Sequence, residues 1–272
     1  MLSGIGDKEE LQKHGIELKH DLPGVGKNLQ DHLDIMIVQK STKPESYGFT
    51  FKTAVTHGAY YIYQYLVHNR GYFATNGAES GGFIKSSQSE SIPDLQLHFA
   101  CAKLRDHSRD WLFLMGHGYS LHVCDLRPKS RGSISLNSSD PMDQARIEAN
   151  YLSDERDLER MIKGVKVGMK ILKAKAFDQY RGKTLIPDDE LKTDDDIRRY
   201  VVQTAESIYH PVGTCKMGND ENAVVSEKLK VHGVENLRII DASVMPNITS
   251  GNTNAPTIMI AEKGADMLLN NQ

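Results

Sequence analysis

The chain has 272 residues, which is long enough for one large domain or two smaller ones with a sizeable core. Thirty-three basic and 36 acidic side chains leave a formal net charge of −3, which argues against nucleic-acid binding through a concentrated positive surface. The three cysteines, Cys101, Cys124 and Cys215, are far apart and odd in number, so we expect a reducing compartment and neither a disulfide framework nor a zinc site.

Glycine turns separate the first predicted elements. Residues 6–18, GDKEELQKHGIEL, predict a short helix with Leu11 turned inward and Gly15 at its end. Residues 21–39 open with glycine turns and run into a strand predicted at 35–38. The first residues lack a basic region followed by an apolar run, and no window approaches a membrane-spanning length. We therefore expect a soluble protein, in the cytoplasm or at the periphery of a membrane.

Residues 55–67, VTHGAYYIYQYLV, predict a helix that carries four of the eleven tyrosines. An aromatic surface of this size has to cover something. Core packing against a sheet is one interpretation, and the wall of a substrate pocket is the other.

Three stretches in the middle of the chain alternate apolar and polar residues. They are 93–100, 118–128 and 131–138. A period of two predicts strands of an antiparallel sheet with one face buried. Gly132 is predicted in the turn between the last two strands.

Two helices are predicted next. Ser153 fits the N-cap position of the first, with Asp154 and Glu155 at the positive end of its dipole. One apolar stripe follows: Leu158, Met161, Ile162, Val165, Met169 and Leu172. The second helix, predicted at 195–206 after an acidic loop, delivers the chain to residue 210.

His210 stands directly before a proline in ESIYHPVGTCKMG, residues 206–218. A residue before proline is pushed toward extended geometry, and the two following glycines permit a tight turn or close approach to a ligand. We therefore expect His210 in a loop at the mouth of a cleft, where a general base would be held. A structural or merely exposed histidine is the alternative.

The carboxyl end predicts a strand at 236–241, a polar loop and a helix at 257–269. In open α/β sheets, ligands bind beyond the carboxyl ends of strands. Pro256 fits the first helical position, where unpaired N–H groups favour a negative ligand atom.

The polar groups around this helix start have two interpretations each. Asn252 and Asn254 either form turns or point at a ligand. Asp241 either caps the strand end or accepts hydrogen bonds from a hydroxylated cofactor.

Two other motifs carry less weight. GVGKNL at 24–29 resembles a dinucleotide fingerprint, but it ends in leucine, follows no convincing strand and opens no clear helix, so we discount it as a phosphate loop. DHLD at 31–34, with His20 and Asp21 nearby, offers metal-ligand side chains, yet the sequence supplies no matching set elsewhere. We therefore predict no metal site.

Six blocks together resemble the glucose-methanol-choline (GMC) family of flavin oxidoreductases, most closely its choline and alcohol dehydrogenase branch. They are SGIG, DLPGVGKNLQDH, LRPKSRGSISL, NYLSDERD, YHPVGTCKMG and LKVHGVENLRIIDASVMPNITSGNTNAPTIMIAEKGADM. They follow the family's order over nearly the whole chain, and the last two are highly specific.

The resemblance implies an α+β fold, with an antiparallel-sheet substrate domain that includes helices and the C-terminal remnant of a Rossmann-like FAD-binding domain. The implied boundaries are 1–32 for the remnant, 33–205 for the substrate domain, and 206–272 for the catalytic loop and the return to the FAD-binding domain.

The resemblance also assigns the candidate site. His210 occupies the position of the family's catalytic histidine, and Asn252 that of its second histidine or asparagine. Five residues are implied to lie against FAD: Asp241, Ala242, Thr253, Asn254 and Pro256. Glu79 matches the position where choline-oxidising relatives carry a glutamate, and the tyrosines of the preceding helix are its expected aromatic neighbours.

The implied reaction is FAD-dependent oxidation of a primary alcohol, choline or another, to the aldehyde by hydride transfer to flavin N5. Oxygen or a quinone-linked carrier would accept the electrons. Family members are longer and begin with a GxGxxG segment, and nothing of that kind precedes Met1 in this sequence. We therefore expect that the chain belongs to a longer parent protein, which also has an N-terminal half. A hydroxynitrile-lyase-like member without net redox chemistry, and an inactive fragment or interaction module, are the alternatives.

Overall fold

The computed structural model describes residues 1–48, 50–106 and 109–270. The chain divides into two compact units. Unit 1 comprises Met1–Leu33, Leu126–Asp157 and Ser207–Gln272, and unit 2 comprises Asp34–Asp125 and Leu158–Glu206. Residues 126–157, which the sequence assigns to the substrate domain, therefore pack with the two ends of the chain.

The described residues contain ten strands and six α-helices. The strands are β1 (Ile5–Gly6), β2 (His20–Asp21), β3 (Leu33–Ser41), β4 (Ala78–Ile84), β5 (Leu95–Ala100), β6 (Gly118–Asp125), β7 (Ser133–Ser135), β8 (Arg146–Glu148), β9 (Arg181–Ile186) and β10 (Glu206–Ser207). The helices are α1 (Lys8–Lys13), α2 (Phe51–His68), α3 (Trp111–Leu114), α4 (Glu155–Leu172), α5 (Asp194–Thr204) and α6 (Asn254–Leu269). Short 3₁₀ helices occupy Lys175–Phe177 and Ala242–Val244.

A six-stranded sheet forms the centre of unit 2. Its order is β10-β3-β6-β5-β4, and β9 also pairs with β3. The pairs β3–β6, β3–β9, β4–β5 and β5–β6 are antiparallel. The predicted α+β class with an antiparallel sheet is confirmed.

The prediction that one sheet face is exposed is wrong for β6, whose residues are almost all buried. The reason is that the polar residues in the alternating pattern have internal partners. The hydroxyl of Ser120 donates to the carbonyl of Ala102, and His122 bonds to Asp34. Buried polar groups with such partners are compatible with a covered face.

Helix α4 packs closely on this sheet because glycine allows it. A methyl group on Gly164 would lie 2.6 Å from Cγ1 of Val123, and one on Gly168 would lie 2.9 Å from Cδ1 of Ile37. The predicted apolar stripe is buried at five positions: Leu158, Met161, Ile162, Val165 and Leu172. The stripe is therefore confirmed as the face that α4 turns to the core.

Helix α2 is confirmed, but core packing is the wrong interpretation of its side chains. None of its described side chains is buried in this chain, and Val55, Tyr60, Tyr63 and Leu66 are exposed. The amino-terminal helix α1 is also confirmed, with Leu11 fully buried and Gly15 just beyond its end at φ +68°. Positive φ is the conformation that glycine adopts without strain.

The predicted turn at Gly132 is wrong. Strand β7 pairs with β8 and lies in unit 1, so it forms no hairpin with β6. Gly132 instead pairs with Leu29, and a methyl group there would lie 2.2 Å from the carbonyl oxygen of Glu148. Close backbone approach explains this glycine.

Two predicted helix starts are displaced. Helix α4 begins at Glu155, so the N-cap position falls to Asp154, whose Oδ1 accepts the Arg156 backbone N–H at 3.0 Å. Helix α6 begins at Asn254, so Pro256 is its third residue and not its first. Proline is tolerated there because the first four N–H groups of a helix lack intrahelical acceptors.

The strand predicted at 236–241 is also wrong, since the described residues give it only a single bridge between Lys230 and Arg238. The glycines of GVGKNL have a structural role. Methyl groups on Gly24 and Gly26 would lie 2.1 Å from backbone oxygens of Asn222 and Ile134. These glycines permit close backbone contact, which agrees with discounting the motif as a phosphate loop.

Helices of the described residues do not combine the length and hydropathy needed to cross a bilayer. Within the same residues, no group of three or more His, Cys, Asp or Glu side chains could hold a metal ion.

A matched pair of glycine substitutions tests the packing of α4. We expect Gly164→Ala to lower the free energy of unfolding by roughly 1–2 kcal/mol, because the clash with Val123 outweighs the gain in helix propensity. Gly58→Ala, on α2 with no atom within 4 Å, should leave that free energy unchanged or raise it by up to about 1 kcal/mol. Urea denaturation of both variants measures the difference, and equal effects would contradict the packing.

The sheet also holds a buried ion pair. His122 Nδ1 lies 2.6 Å from Asp34 Oδ2, and the side chains are 15% and 8% exposed. Burial alone lowers the pKa of His122, but the bonded Asp34 carboxylate and the charge of Glu206 raise that pKa above its ordinary value of 6.5. The folded state therefore favours the imidazolium.

This pair predicts a pH-dependent contribution to stability. Because the folded pKa of His122 lies above the unfolded one, the contribution is fully present below about pH 6.5 and is lost as the pH rises through the folded pKa. We expect the difference in unfolding free energy between wild type and Asp34→Asn to be largest near pH 6 and to shrink toward pH 9. Urea titrations across this range measure it, and a difference that grows with pH would be inconsistent with the pair.

Candidate active site

Antiparallel pairing within unit 1 sets the position of His210. The backbone N–H of Ile208 donates to the carbonyl of His32 at 3.1 Å. Gln30 and Val212 exchange backbone hydrogen bonds of 3.0 and 2.8 Å. His210 therefore lies on a short loop fixed at both ends, as its place before proline predicts.

The backbone on either side of His210 is unusual. Tyr209 has φ +64°, a left-handed conformation that is uncommon for a large side chain and costs of order 1 kcal/mol or more. Gly213 has φ +95°, and a methyl group there would lie 2.5 Å from the carbonyl oxygen of Asn28. Glycine at 213 is therefore required by both conformation and space, as the sequence predicts for this turn.

The carboxylate of Asp31 holds the loop. Its Oδ1 accepts the backbone N–H of His210 at 2.9 Å. Its Oδ2 accepts the hydroxyls of Tyr151 and Ser207, each at 2.5 Å. Burial, together with this carboxylate, raises the pKa of Tyr151 well above its usual range, so the phenol stays a donor. Asp31 therefore gathers three donors and fixes the backbone that carries His210.

The imidazole of His210 has a partner at each nitrogen. Nδ1 lies 2.9 Å from Nδ1 of His32, and the two rings meet edge to face at 82°. Nε2 lies 3.4 Å from Nδ2 of Asn252. His210 is 8% exposed, so the ring is largely shielded from water. The two residues assigned to catalysis by resemblance are thus brought together.

An open hollow of ≈ 450 Å³ lies beside this pair. Its lining consists of Ile208, Tyr209, His210, Pro211, Ala242, Asn252, Thr253, Asn254 and Thr257. Five of the eight predicted site residues are in that set. Asp241 is not; its carboxylate caps the short helix that follows by accepting the N–H of Ser243 at 2.8 Å. Pro256 is the third residue of α6 and lies outside the lining.

The amino terminus of helix α6 lies at the hollow. Its N-cap residue, Thr253, and its first helical residue, Asn254, both line the hollow. The first turn carries no acidic side chain. The positive end of the helix dipole is therefore not neutralised by the helix itself, and its unpaired N–H groups favour an anionic or electron-rich ligand atom.

Glu79 belongs to unit 2. It is the extra residue of a bulge in β4, where the register shifts between Ala78 and Ser80. Its Oε1 accepts the hydroxyl of Tyr47 at 2.6 Å, a bond that raises the pKa of Tyr47 to about 12. The expected tyrosines of α2 are not the source of this contact, since Tyr47 precedes that helix. A substrate role for Glu79 stays a prediction.

Sequence reasoning missed two residues of this site, Asp31 and His32. They are the first two residues of DHLD, a motif whose residue types suggest only metal ligands. The available signal was their position at the end of DLPGVGKNLQDH, one of the six blocks of family resemblance.

Comparisons with known proteins agree with this geometry. Residues 128–261 match the family described as GMC oxidoreductase. The chain is 48% identical over 271 residues to alcohol dehydrogenase (acceptor) of Pseudomonas putida, covering 99% of this chain and 48% of that protein. It is 43% identical over 272 residues to human mitochondrial choline dehydrogenase, covering 98% and 45%. The chain thus spans about half the length of the curated relatives it matches.

Solved structures give the same result. Pyridoxine 4-oxidase from Mesorbium loti superposes with a TM-score of 0.81 at 25% identity, over 99% of this chain and 48% of that one. A variant of formate oxidase from Aspergillus oryzae RIB40, studied for FAD modification, superposes with a TM-score of 0.87 at 25% identity, over 100% and 52%. The chain belongs to the GMC oxidoreductase family.

Proposed function

We propose that this chain is the part of an FAD-dependent alcohol oxidoreductase that binds and deprotonates a primary alcohol. One observation carries the proposal: His210 and Asn252 meet at the edge of a hollow that also receives the amino terminus of α6. The names of the relatives support the same reaction class, since they include an alcohol dehydrogenase and choline dehydrogenases.

The hollow fits the ring end of a flavin. Residues Ala242, Thr253 and Asn254 would hold it, and the helix amino terminus suits the negative charge that a reduced flavin carries. When bound, FAD supplies the two-electron redox chemistry by accepting the carbinol hydride. The described residues offer no glycine-rich loop for the pyrophosphate, because the glycines of GVGKNL contact backbone instead.

His210 and Asn252 have different roles toward the alcohol. The imidazole of His210 takes the hydroxyl proton, the role that a positioned histidine most often fills in general base catalysis. The carboxamide of Asn252 orients the oxygen by hydrogen bonding. Because His210 is 8% exposed, little water competes for the base.

The finer assignments are also proposals. The substrate is choline or another primary alcohol, and oxygen or a quinone-linked carrier takes the electrons. Glu79 is the candidate contact for a substrate cation, although its carboxylate already bonds Tyr47. The cellular location we propose is the cytoplasm or the surface of a membrane.

An anaerobic flavin assay tests the function. The complete polypeptide that contains this chain is purified and mixed with choline, a medium-chain alkanol or an aromatic alcohol. We expect bound yellow flavin whose absorbance bleaches with at least one alcohol, together with one aldehyde per flavin. Persistent colour with every alcohol would instead favour the lyase-like alternative, and a colourless protein would favour an inactive fragment or an interaction module.

Replacement of the base is the sharper test. We expect His210→Ala to slow flavin bleaching by a factor of about 10² to 10⁴, because proton removal loses its acceptor. Flavin content, measured by absorbance, should stay at the wild-type level, since Ala242, Thr253 and Asn254 are unchanged. Asp220→Asn, on an exposed ion pair with Lys216, is the control that should bleach normally. Bleaching by His210→Ala at the wild-type rate would remove His210 from the mechanism.

A further inference from the structure

His32 is a buried histidine that the proposed reaction does not yet use. Its side chain is fully buried, and its two ring nitrogens contact His210 and the backbone carbonyl of Leu126. A buried imidazole placed between a carbonyl and a second imidazole has its proton positions restricted by those partners.

The direction of the hydrogen bonds follows from the carbonyl. Nε2 of His32 lies 3.2 Å from the oxygen of Leu126, and a carbonyl oxygen can only accept. Nε2 of His32 therefore carries the proton. In a neutral ring the other nitrogen, Nδ1, is then an acceptor.

The protonated nitrogen of His210 follows from its contact with His32. Its Nδ1 lies 2.9 Å from the acceptor Nδ1 of His32, so it must carry a proton and donate it. In neutral His210, Nε2 is then unprotonated, and it lies 3.4 Å from the donating Nδ2 of Asn252. Every contact in the series Leu126, His32, His210, Asn252 is consistent with one arrangement of protons.

We infer that His32 is a positioning residue that fixes the tautomer of His210, so that Nε2 is the atom that removes the alcohol proton. The inference rests on the proposed role of His210 as base. A catalytic base in the wrong tautomer presents a proton where a lone pair is needed. His32 is not itself a lining residue of the hollow, and its side chain acts on the site through its contact with His210.

Two near-isosteric variants separate the functions of the two nitrogens. In His32→Asn, the amide oxygen can take the place of Nδ1, since both atoms are two bonds from Cβ, and the acceptor for His210 is kept. In His32→Gln, the amide nitrogen can take the place of Nε2, three bonds from Cβ, so the bond to Leu126 is kept and the acceptor is lost. Both variants change the same buried position and place a neutral carboxamide there.

The first measurement reads the tautomer directly and needs no catalysis. In the 272-residue chain labelled with ¹⁵N-histidine, the two-dimensional ¹⁵N–¹H spectrum distinguishes a protonated from an unprotonated ring nitrogen, and loss of the signals in His210→Gln assigns them. We expect neutral His210 to carry its proton on Nδ1 in the wild type and in His32→Asn. In His32→Gln we expect Nε2 to be protonated in a substantial fraction of molecules. Protonation of Nε2 in the wild type would overturn the inference.

The second measurement is kinetic and uses the complete polypeptide with its flavin. We expect His32→Gln to lower the rate of flavin bleaching by about 10²-fold or more at saturating alcohol, with little change in KM, and His32→Asn to stay within about tenfold of wild type. Equal rates for the two variants, with native circular dichroism, would contradict the inference. A wild type with the expected tautomer but no bleaching would refute the proposed function and leave the positioning intact.

Discussion

Two consecutive residues, Asp31 and His32, hold the backbone and the ring of His210, the proposed base. The Asp31 carboxylate accepts the backbone N–H of His210 and gathers the hydroxyls of Tyr151 and Ser207. The imidazole of His32 meets the ring of His210 at 2.9 Å. Tyr209, the residue before His210, has a strained φ, and the loop tolerates this strain because these hydrogen bonds fix its conformation. In the proposed reaction, the fixed position of His210 would set the position of the alcohol.

Asn252 and the amino terminus of α6, which also belong to unit 1, lie around the fixed ring of His210. Asn252 approaches Nε2 of His210 from the loop before α6, and the helix amino terminus opens onto the same hollow. The proposed alcohol oxidation would use a base, a polar orienting group and a positive helix end, and this hollow brings the three candidates together. The arrangement explains why residues from distant parts of the sequence are needed together.

Much of this could be predicted from the sequence where local chemistry decides the structure. The apolar stripe of α4, the loop position of His210 and the helix after Asn252 all follow from periodicity, proline and glycine. The predicted exposed sheet face failed because His122 has a charged partner, Asp34, inside the sheet, and alternation cannot reveal such a pair. The predicted hairpin at Gly132 failed because its close backbone neighbours come from distant positions. Asp31 and His32 were missed for the same reason, since their partner lies 178 residues away from His32.

We propose that His210 Nε2 takes the proton from an alcohol bound in the hollow. A crystal structure of the complete polypeptide with FAD and an unreactive alcohol, such as trifluoroethanol, tests this most directly. We expect the alcohol oxygen within about 3.2 Å of His210 Nε2 and within hydrogen-bonding reach of Asn252. An alcohol oxygen bound to neither group, with His210 still bonded to His32, would contradict it.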